Sequence, residues 1–541
     1  MTMLEKSSTK KTTKSGPSRR SLLKLAGGGL SAFGAGIGWN SFARASQNKA
    51  IKLEVEEING LPTYNGKTPG PTIAVEAGDS FDVHLVNNLP ALDDDCVQNF
   101  NAFHGLNTTN LHTHGLHVSP STDSSGEFDS DNVFVSVVPK DQIVPCEFIC
   151  GEKVKETFRS HEARYRFELL PDHPGGTHWY HAHKHGSTAR QVGAGLSGPL
   201  IVKDPVGHMP EYIEQAAEKI LMIMNRGVVL VDPNGGGEVD PTISMRPGEV
   251  QRWRIINAQS AGNNFSYLST NLPGVEIYQI AFDGLTLPRR VKIDRFDDQE
   301  PWLNPAALAP GNRTDLLIRV PPDTQGQSLS VGVNPALQDQ IEDDEPIAEF
   351  ANNNGGQGGG GMGGMGGGMG GGGMGGRGGR PSNFQVNLEI KGEPIAHLWS
   401  EDDRLPGPGL KPFGDEKLPP REVMFTGRVD IDGERFTGET KQTMKLGTAE
   451  EWTVKNDTRG VHAFHIHVNP LFITHINGEE LPEGSPLRRW QDTIGIPTGQ
   501  NRQPGSVTYK TRFETYRGKF VIHCHILRHE DLGMMQTVEV V

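Results

Sequence analysis

Twelve residues close to the end of the chain, "HCHILRHEDLGM" (His523–Met534), carry three histidines, a cysteine and a methionine. A thiolate, an imidazole five residues on and a thioether ten residues on form a soft ligand set. Alternate residues of a strand face opposite sides, so His523 and His525 point away from Cys524. One short segment can therefore touch two different metal sites.

Three further clusters test that idea. "NLHTHGLH" holds His112 and His114, "GTHWYHAHKHG" holds His181 and His183, and "HAFHIH" holds His462, His465 and His467. A lone H-x-H is a weak signal, because surface and core histidines also recur at that spacing. Four clusters, two early and two late, with a cysteine inside the last, do not fit that bland reading. A trigonal His₂Cys set with a weak axial Met makes a blue-copper electron-transfer site. Cys524, His529 and Met534 fit it, and His462 is the candidate for the second imidazole. Eight histidines remain, all in H-x-H pairs. Eight is the number needed by one copper with two imidazoles and a copper pair with three each.

These clusters resemble the four copper signatures of the multicopper oxidases, the family of laccases, bacterial cuprous oxidases, ascorbate oxidase and bilirubin oxidase. The resemblance spans nearly all of residues 50–541. It implies that His462, Cys524, His529 and Met534 form the mononuclear blue site. It implies His112 and His465 on the single copper of a trinuclear cluster. It implies His114, His181, His183, His467, His523 and His525 on the coupled pair, which makes four coppers per chain. The implied reaction couples four one-electron oxidations to reduction of O₂ to two waters. The chain Cys524 to His523 and His525 is then the shortest covalent path between the sites.

The resemblance also implies proton-delivering acids. In similar bacterial enzymes the glutamate after the blue-site histidine relays protons, which points to Glu530. The family has an aspartate downstream of the first H-x-H. Here the loop "HVSPSTDSSGEFDSDNVF" is longer and acid-rich; Asp131 is the assignment and Asp129 the alternative. His117, His178 and His185 fit no ligand position and are expected to pack around the sites. Trp490, in "WQDT", is expected to pack rather than to touch substrate.

The reductant is less legible. Phenols and aromatic amines are the laccase-like reading. The segment "NNNGGQGGGGMGGMGGGMGGGGMGGRGGR" (Asn352–Arg380) supplies the alternative, a cuprous oxidase for copper tolerance. Its Met362, Met365, Met369 and Met374 are thioethers, which select Cu(I). Against a copper-sequestering protein stands the cysteine flanked by two histidines, which storage does not need. Against a copper nitrite reductase stands the full set of four signatures.

The elements that must carry these residues read as strands. The chain has 541 residues with 68 Gly, 37 Pro and 22% charged residues, a turn-rich, β-dominated composition. "IAVEAGDSFDVHLVNNL" (from Ile73) alternates apolar and polar residues across a turn. "ISMRPGEVQRWRIINA" (from Ile243) and "MKLGTAEEWTVKND" (from Met444) repeat the theme. The expected fold is all-β: three cupredoxin-like Greek-key sandwich or barrel domains over 46–205, 206–396 and 397–541. The Gly/Met-rich segment 352–380 lacks side chains to bury and is expected as a disordered insert in the second domain.

Residues 1–45 read as an export signal. Arg19 and Arg20 precede a weakly apolar Gly/Ala-rich run and "ARA", a twin-arginine-like pattern. The expectation is a monomeric protein, periplasmic or otherwise exported by the twin-arginine machinery, with no stable membrane span. Residues 1–45 hold eight Lys/Arg and one Glu, so the remainder is more acidic than the chain's net −14. Such a surface argues against nucleic acid as a partner. With Cys524 reserved for metal, Cys96, Cys146 and Cys150 allow at most one internal disulfide, whose pairing stays open.

Overall fold

The repeated stretch explains the architecture. Each copy becomes two strands joined by a glycine turn. They are Ile73–Val75 and Ser80–Asn87, then Thr242–Met245 and Val250–Asn257, then Thr440–Met444 and Thr448–Asn456. Gly78, Gly248 and Gly447 hold these turns at φ of 79°, 82° and 83°, a region that side chains with a Cβ avoid. The first strand of each copy pairs parallel with a later strand: Ser197–Val202, Phe384–Ile390 or Met535–Val540. The second pairs parallel with an earlier one: Ala50–Ile58, Ala217–Met224 or Pro420–Thr426. It also pairs antiparallel with Glu162–Glu168, Arg313–Arg319 or Gly505–Phe513. The two strands of a copy thus belong to different sheets, and the glycine turn carries the chain between them.

The structure is a computed structural model and describes residues 43–44, 50–92, 100–142, 148–149, 152–153, 156–260, 265–268, 273–293, 304–335, 384–414, 416–499 and 503–541. The expected signal before residue 43, Cys96, Cys146 and Cys150, and the Gly/Met-rich segment lie outside these residues. Among the described residues the larger sheets form three pairs, of five and four, seven and four, and seven and five strands, beside two 2-stranded sheets. Each pair encloses its own apolar core, around Phe81 and Tyr165, around Trp253 and Ile318, and around Trp452 and Tyr509. The strands that flank the Gly/Met-rich segment, Gln327–Pro335 and Phe384–Ile390, are antiparallel neighbours in one sheet. That segment is therefore inserted within the second sheet pair. Among the described residues no helix is long and apolar enough to cross a membrane.

Buried charge joins the sandwiches. Arg252 and Arg254 of the second bond Asp315 at 2.6 and 2.8 Å, and Arg252 also bonds Asp204 of the first at 2.6 Å. Arg313 of the second bonds Asp492 of the third at 2.7 and 2.8 Å. Such pairs hold position because leaving either charge alone and buried costs about 3–5 kcal/mol.

Candidate metal centre

Two strand pairs bring the H-x-H motifs together. In the first sandwich His112–His114 runs antiparallel to Gly176–His181, with His112 opposite His181. In the third, His462–Ile466 runs antiparallel to Gly518–Cys524, with His465 opposite His523 and Phe464 opposite Cys524. Side-chain alternation then divides the third sandwich's residues. His465, His467, His523 and His525 face the first sandwich, while His462 and Cys524 face inward. Across the seam, the His112 ring stacks on His467 and the His114 ring on His465, each at 3.9 Å between centroids.

The eight imidazoles sort into two trios and a pair. His183 and His467 bring Nε2 to 3.2 and 3.3 Å of His523 Nε2. His525 Nε2 lies 3.2 Å from His114 Nδ1, with His181 completing that group. His112 and His465 group with His114. Support from outside fixes which nitrogen is bare. Asp131 takes His112 Nδ1–H at 2.9 Å, the Ala182 carbonyl takes His181 Nδ1–H at 2.9 Å, and the Asp492 carbonyl takes His465 Nδ1–H at 2.9 Å. The Nε2 atoms of His112, His181 and His465 are left buried without a protein partner. His114 is reversed: Asp492 takes its Nε2–H at 3.1 Å, so Nδ1 faces the centre. Buried, bare, convergent imidazole nitrogens are what a copper or zinc ion requires. Gly311, at φ 94°, walls this cage; a Cβ there would lie 3.0 Å from the rings of His114 and His525.

The second group is a triangle. His462 Nδ1, His529 Nδ1 and Cys524 Sγ stand 3.3, 3.4 and 3.7 Å apart. An ion at the centre would be about 2 Å from each, the length of a metal bond to imidazole or thiolate. Met534 is fully buried, accepts from Cys524 N–H at 3.0 Å and donates its own N–H to the His529 carbonyl at 2.9 Å. Burial pushes the Cys524 thiol up to about 12, so a cation must draw off its proton before it can ligate. Thr458 Oγ1 accepts His462 Nε2–H at 2.8 Å and fixes the tautomer that bares Nδ1. Thr458→Val is expected to weaken metal retention at this triangle about 10- to 100-fold, read by competition with a chelator. His529 is the partly exposed member of the triangle.

Two acids sit against the cage. Asp131 is buried and accepts from Thr113 N–H at 2.8 Å as well as from His112; burial raises its carboxyl to about 7. Asp129 instead binds Arg159 and Thr122 and does not reach the histidines. Glu530 lies on the short helix Leu527–Asp531. Its Oε1 accepts from Thr188 Oγ1 at 3.2 Å and lies 3.7 Å from His183 Nδ1, while Oε2, 4.0 Å from His523 Nδ1, has no hydrogen-bond partner. Burial, reinforced by Asp531, holds Glu530 well above the ordinary carboxylate range.

Three supporting residues carried no sequence signal. Asp492 bonds Arg313 and His114, and its backbone carbonyl bonds His465; burial opposes its charge, but Arg313 outweighs burial and keeps it low. Asp283 accepts from the backbone N–H of Asp492 and Thr493, each at 3.1 Å. Asp531 accepts from the N–H of Gly186, Thr188 and Ala189, capping the helix Thr188–Ala194 beside the second H-x-H. Asp492 stands in "WQDT", two residues after Trp490. Nothing in spacing marks Arg313 or Asp283, which lie far from it in the chain. His117 bonds the Val468 carbonyl and Thr515, and His185 bonds Asn101. Trp490 stacks on Phe413 at 5.3 Å.

Burial also makes the metal-free cage acid-sensitive. His112, His114, His181, His183, His467, His523 and His525 all have pKa values lowered, first by burial and then, for most of them, by one another. The unfolded chain takes up protons below about pH 6.5 that the folded chain refuses, so stability falls as pH falls. Asp131, Glu530 and Asp531 are raised and act in the opposite sense, losing stability as pH rises from about 4. The histidines outnumber them. The urea midpoint of metal-free protein is expected to drop steeply from pH 7 to pH 5.

The sandwiches and the donor set define a metalloprotein built to hold several metal ions close together. Comparisons agree. A multicopper oxidase family model matches residues 415–541 and a second matches 156–207. The laccase of Bacillus subtilis (strain 168) is 24% identical, over 88% of this chain and 89% of that enzyme. Among solved structures, the Campylobacter jejuni multicopper oxidase described as a metallo-oxidase superposes with TM-score 0.59, at 19% identity, over 93% of this chain and 96% of that one. The laccase-like multicopper oxidase of Ochrobactrum sp. superposes with TM-score 0.59, at 19% identity, over 92% of this chain and 98% of that one. The matched segments carry multicopper oxidase domains, and the all-β fold is the cupredoxin-type fold of such oxidoreductases.

Proposed function

We propose that this oxidase couples four one-electron oxidations of a phenol or aromatic amine to reduction of O₂ to two waters. The observation that carries the reading is Cys524 facing the His462–His529 triangle while His523 and His525 enter different imidazole trios. Loaded with copper, one ion at the triangle and three in the cage, the centre would supply one-electron acceptance at the thiolate and multi-electron delivery to O₂. The residues do the rest. His529, partly exposed, offers the edge at which a reductant can approach. The cage's surroundings exclude bulk water, since its eight histidines are buried. Glu530, neutral and with Oε2 unpartnered, holds a proton beside His183 and His523. Asp131 holds His112 by Nδ1 and stands ready to take or give a proton there.

A cuprous oxidase is the second reading. It rests on the four methionines at 362, 365, 369 and 374, inserted between paired strands of the second sandwich. The twin-arginine-like start supports export of the folded protein, in keeping with either reductant. Oxygen uptake by the copper-loaded protein, with 2,6-dimethoxyphenol and with Cu(I) in turn, separates the readings. The laccase-like reading expects phenol to be the better reductant and deletion of residues 355–379 to change little. Preference for Cu(I), lost on deletion, would replace it with the cuprous reading.

A further inference from the structure

A small cavity of about 20 Å³ lies between the second and third sandwiches. Phe265, Asn304 and Ala307 line it from the second, and Ile473, Arg489 and Ile494 from the third. One water needs about 10–15 Å³ of such space, so the cavity suits a monatomic ion or a water and is too small for an organic molecule. None of the residues assigned to copper lines it.

Arg489 is the unusual wall. It is 7% exposed, and it bonds only neutral oxygens: Gln491 Oε1 at 3.0 Å, Gln279 Oε1 at 3.1 Å and the Pro305 carbonyl at 3.1 Å. The guanidinium lies 3.4 Å above the Phe282 ring. Nη2 bonds no protein atom, yet it is not sealed by protein. Arg252, Arg254 and Arg313 are also buried, but each bonds an aspartate, at 2.6, 2.8 and 2.7 Å. Asp283 acts on Arg489 through its charge alone and offsets burial only in part, so the guanidinium falls to about 9. The Asp283 carboxylate is already engaged by the N–H groups of Arg313, Asp492 and Thr493 and by the Asn312 amide. Asn304 adds a second donor: its Oδ1 accepts from Ala306 N–H, and its amide nitrogen donates to no protein atom.

Buried charges are ordinarily paired. A water would satisfy an N–H and leave the charge of Arg489 uncompensated. A carboxylate-bearing molecule exceeds the volume. A halide ion brings the opposite charge, needs only donors around it, and tolerates apolar walls such as Phe265, Ile473 and Ile494. We propose that this cavity takes up one halide ion as a structural ligand between the second and third sandwiches, with Arg489 supplying the charge and Asn304 a further donor. The site is separate from the copper centre, and the proposal does not depend on the oxidase reading or on the reductant.

The test follows thermal unfolding of copper-loaded protein in sodium bromide against sodium gluconate at equal ionic strength. Gluconate is too large for the cavity. A saturable rise of the midpoint in bromide alone is expected, because a ligand held only by the folded state stabilises it. Arg489→Met removes the charge, and Ala307→Leu keeps the charge but fills the space. Each should weaken the apparent bromide affinity about tenfold or more. Bromide held by copper or by the surface would act equally on parent and variants. That result, or bromide and gluconate acting alike, overturns the proposal. Anomalous diffraction from crystals grown in bromide gives a second reading should a variant fail to fold. A peak beside Arg489 supports the site, and peaks only elsewhere overturn it.

Discussion

Cys524→Ser is expected to abolish blue absorbance and lower turnover on the order of 10³-fold or more, about 4 kcal/mol of barrier. Serine nearly keeps the shape, but its hydroxyl is a hard, poorly ionised donor where a soft thiolate is needed. His462 and His529 would remain 3.3 Å apart with the third corner of the triangle empty of charge. The strand register that sets His523 opposite His465 does not depend on the sulfur, so the cage should still load. Burying an unpaired hydroxyl in the third core costs about 1–3 kcal/mol, which such a core tolerates. Copper per chain, absorbance and oxygen uptake measured together give the outcome. Full activity in this variant would sink the assignment of electron entry.

Glu530→Gln is expected to slow turnover about 100-fold, while the blue site remains reducible. Glutamine keeps the volume of a side chain that is entirely buried, and its amide oxygen can still accept from Thr188. It cannot carry a transferable acidic proton. Glu530 is suited to that role because burial, reinforced by Asp531, keeps it protonated beside His183 and His523. A purely structural glutamate would change stability and leave the split between reduction and reoxidation alone. Stopped-flow separation of the two half-reactions distinguishes them: normal reduction with slow reoxidation is expected, and unchanged turnover would discard the relay.

The clusters that converge in the fold were legible because metal-ligand chemistry imposes local spacing. H-x-H on a strand puts two imidazoles on one face, and H-C-H divides its residues between two faces, so each cluster announced itself. The sandwiches were legible for a similar reason, since each repeat keeps a glycine at a left-handed turn between alternating strands. What stayed hidden depends on long-range contact. Asp131 and Asp129 look alike in the loop; only the fold shows that Thr113 and His112 hold the first while Arg159 draws the second away. The Arg313–Asp492 pair joins residues 179 positions apart, and no periodicity reports it. Thr458 selects the His462 nitrogen through one hydroxyl, four residues upstream in a turn that reads as ordinary.

Four-electron reduction of O₂ fixes how much reductant each O₂ consumes. The direct measurement is the stoichiometry of O₂ consumed against 2,6-dimethoxyphenol oxidised by copper-loaded protein, with peroxide assayed in the same vessel. One O₂ per four phenol oxidations, with no peroxide accumulating, is the expected result for a cage that delivers four electrons to one site. Two oxidations per O₂ with stoichiometric peroxide, or no oxygen uptake by fully loaded protein, would contradict it.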